Sequence, residues 1–154
     1  MKTLVCFASV HHGNTRKVAE SIGTVLSADL MQPNRVTPEL LARYDLVGFG
    51  SGIYFRRHHE SLFHLLERLP DQKGKPAFIF STEGLTFLHS SFHKALRQKL
   101  TGKGFRIVGE FACPGWDTYA IFGWFGGVHR GRPDERDLDA AQKFAEGLKN
   151  EKID

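Results

Sequence analysis

The sequence predicts a three-layer α/β domain in which helices cover both faces of an open parallel sheet. Three observations support this fold class. Apolar runs of strand length are nearly continuous, amphipathic helical periods separate them, and 154 residues suit one domain rather than two. We therefore expect residues 1–154 to form a single domain.

Four apolar runs are predicted to be strands. They are Leu4–Ala8 (LVCFA), Leu46–Gly50 (LVGFG), Ala77–Ser81 (AFIFS) and Arg106–Cys113 (RIVGEFAC). The first three hardly alternate, which is typical of parallel strands because neither of their faces meets water. A weaker strand near Ala28–Met31, followed by a helix at Pro38–Tyr44, brings the expected number of strands to five.

Four stripes of apolar residues at helical spacing predict the helices between and after the strands. The stripes are Val18, Ile22, Val25 and Leu26; Leu62, Leu65, Leu66 and Leu69; Leu88, Phe92, Leu96 and Leu100; and Leu138, Ala141, Ala145 and Leu148. This alternation favours right-handed crossovers, which bring the carboxyl ends of the strands to one edge. Ligands of such sheets bind at that edge, so the loops after the strands form the candidate site.

Composition and charge narrow the class of partner. The formal net charge is +4, from 21 Lys and Arg against 17 Asp and Glu, which is a mild excess. Arginine clusters with interleaved aromatic residues are missing, so we expect no nucleic-acid partner. No apolar run has the length of a membrane span, and the amino-terminal residues look like a strand rather than a signal peptide. We expect no membrane association and a cytoplasmic location.

Cysteine and histidine spacing does not indicate a metal site. Cys6 and Cys113 each lie in an apolar run, which predicts buried, reduced thiols. The pair His58–His59 does not project to one point from a helix, and His89 and His93 lack a carboxylate partner between them. No Ser/His/Asp or Cys/His arrangement is visible from spacing alone, so no catalytic residue is assigned.

The segment SVHHGNT, residues 9–15, follows the first predicted strand and has the composition of an anion-binding loop. A helix beginning at Asn14–Thr15 presents unpaired amide groups and the positive end of its dipole. Gly13 permits close approach of a ligand, and Ser9, Asn14 and Thr15 add hydrogen-bonding side chains. Phosphate is the usual occupant of such a loop. The dinucleotide fingerprint and the P-loop motif are both absent.

Together, SVHHGNT followed by RKVAESI, then DLVGFGSGIY, then FSTEG, resemble the flavodoxin family of FMN proteins over nearly the whole chain. The resemblance implies a doubly wound five-stranded parallel sheet in the order 2-1-3-4-5, with FMN where the strand order reverses. The phosphate loop of that family usually reads [ST]-x-T-G-x-T. Gly13, Asn14 and Thr15 match this motif, whereas Val10 and His12 replace hydroxyl residues. Either His11 or His12 is expected to contact phosphate, the alternative being that both line the loop surface.

The same resemblance implies that the loops after the third and fourth strands enclose the flavin ring. The corresponding cofactor-binding residues are Ser51, Gly52, Ile53 and Tyr54; Ser81, Thr82, Glu83 and Gly84; and Trp116 and Asp117 in the aromatic segment Pro114–Pro133. Tyr54 or Phe55 is expected to stack on the ring, with core packing as the alternative. Glu83 has the alternative of a solvent-facing turn position, and the aromatic segment could instead fold back on the sheet.

The resemblance implies an FMN-binding electron-transfer protein that carries one or two electrons between redox partners. Two alternatives stay open: an FMN-dependent oxidoreductase acting on a quinone, a porphyrinogen or a similar small acceptor, and a flavin-free interaction module. Familiar flavodoxins are strongly acidic, whereas this chain is basic. Partners with acidic surfaces are therefore expected, and the chain is expected to be a monomer or a weak homodimer.

Overall fold

The computed structural model of the chain describes residues 1–10, 13–84, 88–115, 131–151 and 153. Its strands are β1 (Thr3–Ala8), β2 (Asp29–Met31), β3 (Leu46–Tyr54), β4 (Arg57–His58), β5 (Pro76–Glu83) and β6 (Arg106–Pro114). Five of them form a parallel sheet in the order β2-β1-β3-β5-β6, and β4 pairs antiparallel with β3. With β4 set aside, this is the predicted order 2-1-3-4-5.

The helices follow the predicted apolar stripes. They are α1 (Asn14–Leu26), α2 (Pro38–Leu41), α3 (Glu60–Arg68), α4 (His89–Gly102) and α5 (Glu135–Asn150), with a 3₁₀ turn at Pro33–Arg35. The helix expected over Pro38–Tyr44 is shorter than predicted, because its hydrogen bonding continues only as a turn after Leu41. The 3₁₀ turn was not predicted.

Two cores fill the space between the sheet and its covering helices. One core packs α3 and α4 against one face through residues such as Phe49, Leu65 and Leu96. The other packs α1 and α5 against the opposite face, with Ile22 and Ala145 fully buried there. The expected three-layer architecture follows directly from these two apolar faces.

Two strands extend beyond the limits that the apolar runs indicated. β3 was expected to end at Gly50 but reaches Tyr54, because β1 and β5 continue to pair with it and β4 then folds back onto it. β5 was expected to end at Ser81 but reaches Glu83, since β6 pairs with it as far as Pro114. The prediction that Ser51–Tyr54 form a loop was therefore wrong, as was a turn at Glu83.

Both cysteines are buried free thiols, as predicted. Burial raises the pKa of the Cys113 thiol to about 12, so the group stays neutral at physiological pH. The helices in the described part of the chain include no segment that is long and apolar enough to cross a membrane.

Candidate functional site

The carboxyl ends of β1, β3, β5 and β6 meet at one edge of the sheet. Ala8 is in register with Ser51, Gly52 with Thr82, and Glu83 with Pro114. Parallel pairing places these residues level with one another, so the segments predicted to bind a ligand are brought together. The site is therefore assembled by topology from distant parts of the sequence.

The amino terminus of α1 opens at this edge without a side-chain cap. Gly13 is the residue before the helix and adopts a left-handed conformation, with φ 65° and ψ 18°. That conformation favours glycine, which lacks the Cβ that would strain it. Among the described residues, no atom lies within 4 Å of a Cβ built on Gly13, so they leave the space beside it open. The residue before the helix therefore offers no side-chain acceptor to the amide groups of the first turn.

The first turn of α1 is fixed to the end of β5 by a hydroxyl pair. The Oγ1 atoms of Thr15 and Thr82 lie 2.9 Å apart, and both side chains are buried. Gly115, just after β6, approaches the same point: a Cβ there would lie 3.0 Å from Asn14 Nδ2 and 3.1 Å from Thr82 Cβ. Three of the predicted site residues, Asn14, Thr15 and Thr82, are therefore in one small region.

A hairpin connects β3 to β4 at the neighbouring strand end. Phe55 and Arg56 form its turn with φ values of 48° and 65°, and Phe55 is 82 % exposed. Tyr54 packs edge-on against His59, with ring centroids 5.5 Å apart. The guanidinium of Arg57 lies 4.0 Å from the centroid of the Phe63 ring. Positive φ at non-glycine residues costs free energy and occurs often at functional sites, which makes this hairpin a candidate part of the site.

A cleft of about 600 Å³ lies between this hairpin, the start of α3 and the first loop. Its lining includes Val10, Tyr54, His59 and Phe63, so aromatic faces and imidazole nitrogens border the same space. Its volume is in the range of small-molecule sites. The cleft gives the site a second accessible region beside Tyr54.

Ser51 is fully buried and ties the hairpin to β3. Its Oγ lies 2.9 Å from His58 Nδ1 and accepts a hydrogen bond from the backbone amide of His59 at 2.9 Å. Burial strongly lowers the pKa of His58, so its imidazole is neutral at physiological pH. Ser51 therefore serves the local fold of the hairpin, whatever else it contacts.

A buried polar network connects β5, α4 and β6. Ser81 Oγ lies 2.7 Å from His93 Nε2 and 3.3 Å from Glu83 Oε2. His93 Nδ1 lies 2.9 Å from Glu110 Oε2, and Arg97 donates to both oxygens of Glu110 at 2.5 and 2.8 Å. Both Ser81 and His93 are fully buried. This network has the connectivity of a Ser-His-Glu arrangement, although its serine is inaccessible to a substrate.

The pKa values of the two carboxyl groups in this network are shifted in opposite directions. Burial opposes the ionisation of Glu110, yet hydrogen bonds from Arg97 and His93 lower its pKa to about 2. Burial raises the pKa of Glu83 to about 7, and the hydrogen bond from Ser81 only partly offsets that rise. Within the described residues, Glu83 Oε1 is buried without a hydrogen-bond partner. Glu83 therefore titrates near physiological pH at the end of β5.

Sequence reasoning identified Ser81 and Glu83 but missed His93 and Glu110. Glu83 is buried on a strand, so its alternative as a solvent-facing residue was wrong. A signal for the missed pair was available: Glu110 interrupts an apolar run, and His93 lies three residues before Leu96 on the apolar face of α4. The carboxylate partner of His93 comes from β6 rather than from its own helix.

Other predicted site residues lie at the same edge or outside the described part of the chain. Ser9 and Gly84 are half-buried beside the ends of β1 and β5, and Gly52, Ile53 and Tyr54 belong to β3. Four predicted residues fall outside the described residues: His11, His12, Trp116 and Asp117. So does most of the aromatic segment Pro114–Pro133. Across residues 1–10, 13–84, 88–115, 131–151 and 153, no group of three or more His, Cys, Asp or Glu could hold a metal ion.

Comparison with known proteins identifies the family. The model of a flavodoxin domain matches residues 4–111. The chain belongs to the flavodoxin family. An uncharacterized protein of Methanocaldococcus jannaschii is 50% identical over 148 residues, covering 96% of this chain and 98% of that protein.

Solved structures of flavodoxins have the same fold. Flavodoxin 2 from Bacillus cereus, in its oxidised form, superposes with a TM-score of 0.71 at 19% identity, covering 97% of this chain and 98% of that one. A flavodoxin from the domain Archaea gives a TM-score of 0.68 at 16% identity and covers 96% of both chains. The fold and the domain are thus those of a flavin-binding electron-transfer family.

Proposed function

We propose that this chain binds FMN and carries electrons between redox partners. The observation that supports this most strongly is the uncapped amino terminus of α1, which opens beside the ends of the central strands in a chain of the flavodoxin family. A phosphate there accepts hydrogen bonds from first-turn amides and lies at the positive end of the helix dipole. FMN carries such a phosphate together with a flat ring, and the ring requires a crevice beside the phosphate site.

The residues present fit this cofactor at both of its ends. The open space beside Gly13 suits the phosphate, and the hydroxyl pair of Thr15 and Thr82 lies next to it. Tyr54 and the buried, partly unsatisfied Glu83 lie at the neighbouring strand ends. An aromatic face and a polar edge are the groups that a flavin ring requires.

When bound, FMN would supply the one- and two-electron chemistry, and the chain would set its position and electrostatics. Gly13, Asn14 and Thr15 would bind the phosphate. Tyr54 would restrict access of water to one ring face, and Thr82 with Gly84 would offer hydrogen-bonding groups to the polar end of the ring. Glu83 would hold a proton near that end at neutral pH, in keeping with its pKa of about 7.

The experiment that tests this proposal is a titration of the purified full-length chain with FMN and with riboflavin, followed by flavin fluorescence. We expect FMN to bind at least tenfold more tightly than riboflavin, which corresponds to about 1.4 kcal/mol from the phosphate. Equal affinities would show that the phosphate is not recognised, and an absence of binding would contradict the function itself.

The surface around the hairpin supports a partner of complementary charge. Arg56 and Arg57 are exposed beside Phe55, and the chain as a whole carries a formal charge of +4. Positive surfaces accelerate association with negative partners and do so less at high ionic strength. We therefore propose acidic redox proteins as partners, which predicts electron-transfer rates that fall as salt is added.

The cleft beside Tyr54 favours one alternative function, an FMN-dependent oxidoreductase with a small acceptor. About 600 Å³ bordered by Val10, His59 and Phe63 could accommodate such a molecule next to the ring position. Turnover of a quinone or porphyrinogen by the protein alone, with a nicotinamide as reductant, would support this alternative. Electron transfer that requires a second protein would support the carrier.

A further inference from the structure

A continuous chain of hydrogen bonds leads from the surface of α4 to the ligand-binding edge of the sheet. It starts at Arg97, passes through Glu110, His93 and Ser81, and ends at Glu83. The three residues at its inner end are at most 4% exposed. These contacts join α4, β6 and β5, so the chain of hydrogen bonds crosses the interior rather than following one element.

Ser81 occupies the position in this chain where the direction of hydrogen bonding can reverse. Its single hydroxyl hydrogen has two acceptors within reach, His93 Nε2 at 2.7 Å and Glu83 Oε2 at 3.3 Å. A hydroxyl can donate one hydrogen bond and accept others. If the hydroxyl donates to His93 Nε2, Oγ can accept a hydrogen bond from the protonated carboxyl of Glu83. If it donates to Glu83, Oγ can accept a hydrogen bond from a protonated His93 Nε2.

Glu110 favours the arrangement in which a protonated His93 donates a hydrogen bond to Ser81 Oγ. The carboxylate of Glu110 is ionised, and it faces His93 Nδ1 at 2.9 Å, so that nitrogen carries a hydrogen. A carboxylate in this position stabilises the imidazolium that forms when Nε2 also gains a proton. Arg97 fixes Glu110 from the other side and is a positioning residue, as is Glu110.

We propose that Glu83, Ser81 and His93 form a proton relay beneath the ligand-binding edge. In the forward step the Glu83 carboxyl O–H bond breaks and its proton passes to Ser81 Oγ. The Ser81 hydroxyl proton passes at the same time to His93 Nε2. Glu83 becomes a carboxylate, His93 an imidazolium, and Ser81 is unchanged. The reverse step returns one proton to Glu83, so the relay stores a single proton and presents it at the end of β5.

The titratable groups packed against the relay lie on β4, β6 and α4. On β4, the His58 ring lies tilted against that of His93 with ring centroids 4.9 Å apart, and burial lowers the pKa of His58 so that it stays neutral. On β6, Cys113 is a neutral thiol in register with Thr82, and Glu110 is the ionised carboxylate already described. On α4, Arg97 is paired with Glu110. Burial raises the pKa of Glu83 to about 7, so its carboxyl still carries a proton at weakly acidic pH.

The use of the relay depends on the proposed function, but its existence does not. Reduction of a flavin creates a demand for protons, and a buried store at the polar end of the ring could supply one without admitting water. The relay itself is a property of side chains that are in place without a cofactor. Its test therefore uses the full chain with no flavin added, so that failure of the relay and failure of FMN binding are separate results.

The test is an NMR titration of the full chain labelled at glutamate side-chain carbons and histidine ring nitrogens, between about pH 5 and 9. Two sites that share a proton titrate in macroscopic steps that belong to the pair. We expect the Glu83 carboxyl carbon and His93 Nε2 to show the same two midpoints. A Glu83 titration that leaves the His93 nitrogens unchanged would overturn the proposal.

Variants separate transfer through the hydroxyl from electrostatic coupling through space. We expect Ser81→Ala to abolish the response of His93 to Glu83, and Ser81→Thr to retain it. The matched control is Ser51→Ala at the position in register with Ser81, which removes only the Ser51 hydroxyl and, with it, hydrogen bonds such as the one with His58. That control should leave the shared midpoints in place. Unchanged coupling in Ser81→Ala would overturn the relay.

If Ser81→Ala does not fold, the wild-type chain still provides a second readout. The hydroxyl hydrogen of Ser81 is buried and is expected to give its own resonance. Its chemical shift should change at both midpoints of the pair, because its acceptor changes from His93 to Glu83. A hydroxyl resonance that is constant across the titration would contradict the relay.

Discussion

The first turns of α1 and α5 differ in whether side chains accept hydrogen bonds from their amide groups. Every helix starts with amide groups that lack partners inside the helix. At α5, Asp134 accepts from the amide of Asp137 at 3.1 Å, and Asp137 accepts in return from the amide of Asp134 at 2.8 Å. Arg132 then pairs with Asp137. At α1 the corresponding residue is Gly13, which has no side chain, and the first turn has no acidic residue.

This difference indicates which helix start is available to a ligand. The first turn of α5 is neutralised by its own carboxylates, so an anion would gain little there and would meet repulsion. The first turn of α1 retains its positive dipole end and an open approach beside Gly13. Some local stability is given up at α1, since glycine at this position is a few tenths of a kcal/mol less favourable than a capping side chain. We interpret that deficit as the cost of an anion-binding site.

The largest effect is expected from placing a carboxylate at the start of α1. Asn14→Asp should weaken FMN binding by about a hundredfold or more, because two like charges would lie a few ångströms apart in a partly buried site. Riboflavin, which lacks the phosphate, should bind unchanged. The matched control is Gln142→Glu on α5, the same amide-to-carboxylate change, whose FMN affinity should equal that of the wild type. Equal loss in both variants would contradict the phosphate site.

The second effect concerns the start of α5. Asp137→Ala should lower the free energy of unfolding by about 2–3 kcal/mol, since it removes the capping box and leaves Arg132 without its buried partner. Burial opposes ionisation of Asp137, but Arg132 and the Asp134 amide lower its pKa. The stabilisation is therefore present above the ordinary aspartate pKa and is lost as pH falls below about 4. Urea unfolding at several pH values measures both the free energy of unfolding and its dependence on pH. If the free energy of unfolding of Asp137→Ala fell below about pH 4 as steeply as that of the wild type, this assignment would be contradicted.

Glu83, at the end of β5, provides a prediction in which stability changes with pH in the opposite direction. Its pKa is about 7 in the folded chain, against about 4.3 for an ordinary glutamate. The folded state then binds more protons than the unfolded state between those values, so stability decreases as pH rises through that window. Glu83→Gln should be more stable than the wild type by about 1–2 kcal/mol at pH 8 and should lack this decrease. Parallel pH profiles of the two proteins would contradict it.

The smallest effect is expected at the hairpin charges. Arg56→Glu with Arg57→Glu should make the two-electron midpoint potential of the FMN complex more negative, because positive charge favours the more anionic reduced form. Screening at these exposed positions limits the effect to less than about 1 kcal/mol per charge. Redox titration at low and high salt measures it. A potential that is the same in both proteins at low salt would exclude a contribution from these arginines.

The sequence was sufficient for the elements whose apolar residues recur at a regular spacing. The strand beginning at Leu46 is predicted by apolar residues on both of its faces. The helix containing Ile22 is predicted by apolar residues on one face. Strand order came from family resemblance, because periodicity does not determine which strands are neighbours. The hairpin strand β4 was missed because two residues, Arg57 and His58, are too few to show any period.

The polar interior could not be predicted because its members are distant in sequence. His93 and Glu110 are 17 residues apart, and Ser81 and His93 are 12 apart. Each has the appearance of an ordinary strand or helix residue until the topology brings them together. In the first loop, by contrast, Gly13 and Thr15 are adjacent to the helix start that they serve, so local sequence was informative.

The central claim is that the amide groups at the start of α1 bind the phosphate of FMN. A crystal structure of the full chain grown with FMN tests it most directly. We expect the phosphate within hydrogen-bond distance of the Asn14 and Thr15 amides, with the ring between Tyr54 and the end of β5. A phosphate bound elsewhere, or a crevice beside Gly13 that excludes FMN at saturating concentration, would contradict the account.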